Sequence, residues 1–113
     1  MPPLTDPELL ARYKSALRNW NVTGYLTWKE VAELWLRDNL GLTPRMMARS
    51  MHDHVEAGGE IQQVRERRPD WDDYEFHYDL RLPVSGRLIY IETVLKDEDP
   101  TDPIVHVVSI HYA

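Results

Sequence analysis

Leu9, Leu10, Tyr13, Ala16, Leu17 and Trp20 recur every three or four residues, the spacing of one buried helix face. Thr5 and Glu8 precede them at capping-box spacing, Pro7 suits a first turn, and residues 21–24 break the pattern. Thr27 and Glu30 repeat the capping box, with Trp28, Val31, Ala32, Leu34 and Trp35 as a second apolar face and Gly41 as its stop. Thr43 and Pro44 open a third helix as N-cap and first residue. Its face carries Met47, Ala48, Met51 and Val55, and Gly58 and Gly59 end it.

From Glu60 onward the period drops to two. Residues 61–68 read as a first strand. Tyr74, Phe76, Tyr78, Leu80 and Leu82 then alternate with Glu75, His77, Asp79 and Arg81, giving one apolar and one polar face. Residues 83–86 form a hairpin turn, 88–95 a third strand, 96–103 an acidic loop and 104–112 a last strand. The expectation is an α+β fold in one domain, 1–113. Its helical half, 1–58, packs on one face of an antiparallel sheet of about four strands, near 60–68, 73–82, 87–96 and 104–112. The other face is then free to carry a site.

Composition narrows this picture. The chain has no cysteine, which excludes disulfides and thiolate metal sites. It has no apolar run near the ~18 residues of a membrane span, and its first residues lack a signal-peptide pattern. It is therefore read as cytoplasmic. Residues 1–58 hold seven acids and seven bases, so the whole net charge of −6 falls on 59–113. A generic nucleic-acid binder would carry the opposite balance.

Three segments carry a family likeness: LGL at 40–42 before a methionine-bearing helix, LRLPVSGRLIYIETVL at 80–95, and VHVVSIHY at 105–112. Together they make residues 40–112 resemble the motility quorum-sensing regulator (MqsR-like) toxins, small mRNA interferases of the RelE-like fold. The resemblance implies an mRNA substrate, an antitoxin protein as partner and cleavage without a metal or other cofactor. That family surrounds its RNA with a lysine, a glutamine, a tyrosine and a second, near-terminal lysine. Tyr90 matches the tyrosine. His77 stands at the glutamine position and His111 at the terminal lysine position, and the first lysine falls near Gln63, with Arg65 the nearest base.

The residues support the same chemistry on their own terms. Metal-free RNA cleavage needs a base for the 2′-OH, an acid for the leaving 5′ oxygen and a cation on the phosphate. Histidine serves the first two because both its protonation states exist near neutrality. His77 and His111 form the candidate pair, with Tyr90 as phosphate donor and Arg81 or Arg65 as the cation. The bland alternative for each is a solvated strand residue or cross-strand partner.

His52 and His54 point to different sides of a helix and lack a third ligand at motif spacing, so they suit a helix C-terminus better than a metal. His106 reads as structural. Trp20, Trp28 and Trp35 read as core between the first two helices, and Trp71 as packing over a sheet edge. Two other functions compete. A winged-helix-like DNA binder would use Arg45 and Arg49 on a recognition helix, and a non-catalytic protein-interaction module would use a sheet edge.

Overall fold

A computed structural model describes residues 2–71 and 73–113; the side chain of Trp71, and with it the expectation for that residue, lies outside what is described. The chain runs α1 (Pro7–Arg18), β1 (Leu26–Trp28), α2 (Glu30–Leu40), α3 (Pro44–Glu56), β2 (Gln62–Arg65), a 3₁₀ turn (Pro69–Trp71), β3 (Phe76–Val84), β4 (Arg87–Lys96) and β5 (Ile104–Tyr112). The five strands form one sheet in the order β1-β5-β4-β3-β2. The pairs β2–β3, β3–β4 and β4–β5 are antiparallel, as the alternation predicts, and β1 adds a fifth strand parallel to β5. No helix among the described residues is long and apolar enough to cross a membrane.

The helix starts show where local reading succeeds. Thr43 caps α3 by accepting from Met46 N at 3.2 Å, and Pro44 follows as the first residue. In α1 the cap is Asp6, one residue after the expected Thr5. Its Oδ1 accepts from Glu8 N and Leu9 N at 2.9 and 3.1 Å and sets a negative charge against the helix N-terminus. The capping box at Thr27 does not form. Leu26, Thr27 and Trp28 instead pair with Val105, His106 and Val107, and α2 starts after Lys29, which offers no side-chain cap. The reason is tertiary: backbone bonds from Lys29 N to Val107 O (2.9 Å) and from Val105 N to Tyr25 O (3.0 Å) satisfy the outer edge of β5. Three residues are too few to show a period.

One continuous core lies between the helices and one sheet face. Tyr13, Leu17, Leu36, Met47 and Met51 meet Tyr78, Leu80, Leu82, Ile89, Ile91, Val105 and Val107. The α2 face is narrower than expected: Ala32 and Leu36 are buried, while Val31 and Leu34 are exposed. Nor do the tryptophans fill a gap between α1 and α2. Trp28 lies in β1, Trp35 meets Tyr112 of β5 edge-on at 5.0 Å, and Trp20 lies under Arg45 at 5.7 Å.

A β-bulge tunes the sheet centre. Glu92 pairs with Ser109 but Thr93 pairs with Val107, so β5 carries Val108 as an extra residue. Beside the bulge, Thr93 Oγ1 donates to the Tyr78 carbonyl at 2.8 Å. The Tyr13 hydroxyl therefore donates to Thr93 Oγ1, at 2.7 Å. This buried chain fastens α1 to β3 and β4. Thr93→Val keeps the shape but strands the Tyr13 hydroxyl, and it should cost about 1–3 kcal/mol in urea unfolding. Adding Tyr13→Phe should return part of that loss. Equal losses with and without Tyr13→Phe would show that the chain does not couple helix to sheet.

Candidate functional site

The face of the sheet away from the core carries the polar residues, and strand register sorts them into rows. One row is Gln62–Asp79–Glu92–Ser109, and the next is Arg81–Tyr90–His111. His77, opposite Val64, lies on the same face on the far side of the Asp79 row. His106, also on this face, bonds Thr27 Oγ1 through Nδ1 at 2.7 Å, in keeping with a structural role.

Register also separates the predicted site residues. Ile61 is buried in the core, and the alternation of β2 sends Gln63 and Arg65 to the same side, opposite Tyr78 and Phe76. These two therefore lie on the helix-side face, away from His77, Tyr90 and His111. Arg65 stacks 5.1 Å over Phe76 and sits 3.6 Å from Glu75. His77 and His111 do share a face but do not converge. Four residues along the strand and two strands across amount to about 13 Å by about 10 Å between their backbones. His77 is turned to Asp79, with Nδ1 and Oδ1 2.9 Å apart.

Arg81, Tyr90 and His111 do come together. The Arg81 guanidinium lies 4.9 Å over the Tyr90 ring, while its Nη1 donates to Gln62 Oε1. The His111 ring stacks on Tyr90 at 4.7 Å and 23°. His111 Nδ1 donates to the Tyr112 carbonyl at 2.9 Å, so in the neutral ring Nε2 is the unprotonated nitrogen. The Tyr90 pKa is raised above the usual tyrosine value, by burial first and then by the Asp79 carboxylate it faces. At neutral pH Tyr90 remains a hydrogen-bond donor.

The Asp79 row holds what the sequence reading missed. Asp79 and Glu92 stand directly opposite in the sheet centre and are only 1% and 7% exposed. Arg68, from the segment before the 3₁₀ turn, reaches across to Glu92 Oε2 and also binds both oxygens of Glu66, at 2.9 and 2.8 Å. Glu66 accepts in addition from the backbone N–H groups of Arg67 and Arg68. Asp79 Oδ2 accepts no hydrogen bond among the described residues. A signal did exist: Asp79 and Glu92 are acids set between strand-forming residues, Tyr78 and Leu80 for the first, Ile91 and the β-branched Thr93 for the second.

The helical half looks less like a reading head. Arg45 stacks on Trp20 and Arg49 lies 3.8 Å from Asp53, while the β3–β4 hairpin that would be a wing is the centre of the sheet. His52 contacts its own helix neighbours Asp53 and Glu56 and, among the described residues, joins no metal-type cluster. Compared with protein-family models, curated proteins and solved structures, the chain matches none.

The Arg68 guanidinium first, and then the Arg68 backbone N–H, hold the Glu66 carboxyl well below its usual range, at about 2, against the cost of burial. Its unfolded counterpart titrates near 4.5. Between those values the unfolded chain takes up a proton that the folded one refuses, so stability should fall as pH drops from about 5 toward 2. The contribution is fully present above that window. Glu66→Gln should flatten this part of a pH series of urea midpoints; an unchanged slope would assign acid sensitivity to other groups.

Proposed function

We propose that the chain is a metal-independent endoribonuclease of the mRNA-interferase type, acting on the polar sheet face, with Arg81, Tyr90 and His111 at its centre. One observation carries the reading: a cation, a phenol and an imidazole stand side by side on three adjacent strand positions. Arg81 holds the non-bridging phosphate oxygens, and Tyr90, kept protonated by its surroundings, donates to the same group. His111 takes the 2′-OH proton on Nε2 as the 2′ oxygen attacks phosphorus. The P–O5′ bond breaks, the 5′ oxygen takes a proton from water, and a 2′,3′-cyclic phosphate remains. His77 has no part in this step, being held on Asp79 across the intervening row.

The neighbouring Asp79 and Glu92 carboxylates oppose a polyanion, so binding is weak, and because it rests on the contact of Arg81 with phosphate it falls with salt. The likeness to the MqsR-like toxins adds that the substrate is mRNA and that the partner is an antitoxin protein.

Cleavage of a short RNA in the presence of EDTA should yield the cyclic phosphate. His111→Ala should lower the rate by roughly 100-fold or more, and Arg81→Ala by roughly tenfold, with unchanged circular dichroism. Arg45→Ala and Arg49→Ala should leave it intact. Cleavage that survives His111→Ala sinks the reading, and loss of RNA or DNA binding in the two helix variants would move the function to the helical half.

A further inference from the structure

Beside the Arg81 row, and independent of what that row does, lies a group with the donor set of a cation site. His77, Asp79 and Glu92 each bring one donor atom within 4.8 Å of the other two. Asp79 and Glu92 are paired in register, and His77 precedes Asp79 by two residues on the same face of β3, so all three project from backbone fixed in the sheet. A small divalent ion about 2.1 Å from each donor requires donor separations of roughly 3–4 Å. His77 Nδ1 and Asp79 Oδ1, hydrogen-bonded at 2.9 Å, are close enough to share an ion once the proton between them is released to solvent.

Two further observations point to a ligand. Asp79 is 1% exposed, yet its Oδ2 has no hydrogen-bond partner among the described residues, an expensive state for a carboxylate oxygen. The charges are also unbalanced. Glu66 and Glu92 share one guanidinium, that of Arg68, and the ion-pair partner of Asp79 among the described residues is the His77 imidazole. A divalent ion between the opposed Asp79 and Glu92 carboxylates offsets that excess of negative charge.

We propose that His77, Asp79 and Glu92 bind a single divalent transition-metal ion, with Zn2+ favoured by one imidazole and two carboxylates. Arg68 stays on Glu92 Oε2 and on Glu66 and orients the Glu92 ligand, as outer partners of metal ligands do. The ion is structural. It ties β3 to β4 beside the bulge and removes the repulsion between the opposed carboxylates.

The test is titration of the EDTA-treated full chain with ZnCl2 in a calorimeter, alongside thermal melts. One equivalent should bind, and the Tm should rise with Zn2+ as expected for a ligand that binds only the folded state. Asp79→Asn and Glu92→Gln should each weaken binding by more than about 100-fold and abolish the Tm rise. His77→Gln, at the outer side of the cluster, serves as a third variant if either fails to fold. Absence of one-to-one binding overturns the proposal, as does binding that persists in these variants and so belongs to other histidines. RNA cleavage is not a readout here, so failure of the ion site and failure of the ribonuclease reading remain distinguishable.

Discussion

Two carboxylates face each other across the middle of this sheet, and much of the molecule is arranged around that conflict. With Cβ atoms about 5 Å apart, as register neighbours are, two full charges repel by about 3 kcal/mol at a protein-like effective dielectric of about 20. Neither Asp79 nor Glu92 can escape, because each is flanked by side chains committed to the helix-side core. The compensation comes from elsewhere in the chain. From the segment after β2, the Arg68 side chain bridges Glu92 and Glu66, and His77 turns along its own strand toward Asp79. A stretch that looks like a strand extension through residue 68 is thus diverted, and β2 ends at Arg65.

The same point in β4 anchors the opposite layer. Glu92 faces the polar side and Thr93 the helix side, and the bulge against β5 falls between them. Thr93 Oγ1 accepts from the Tyr13 hydroxyl and donates to the Tyr78 carbonyl, so α1 is tied to the two strands that carry the opposed acids. Charge balance on one face and helix docking on the other therefore share one short piece of backbone.

This arrangement divides the polar face into two chemistries. The Asp79 row is buried, acidic and cross-linked to Arg68, which gives it the character of a structural cation site. The Arg81–Tyr90–His111 row is more open, stacked, and has an imidazole nitrogen free to accept a proton, which suits work on a phosphodiester. The acids also explain why Tyr90 is held as a donor: burial and the Asp79 charge both disfavour its ionised form.

The sequence by itself determined the division into a helical half and an antiparallel half, the α3 cap at Thr43, the stop at Gly41 and the placement of His77 and Arg81 on the polar phase, because each follows from period or local capping. Period alone could not say which side of the sheet β2 presents. Only the burial of Ile61 and its pairing with β3 decided that Gln63 and Arg65 face the helices. Nor could it measure the gap between His77 and His111, which depends on how β3, β4 and β5 are aligned. The fifth strand escaped for the same reason: Leu26–Trp28 is extended because β5 has an edge to satisfy, not because three residues prefer it. The acid pair and Arg68's bridge are likewise tertiary, since Asp79 and Glu92 meet only through the pairing of β3 with β4, and Arg68 joins Glu92 to Glu66 from the segment after β2.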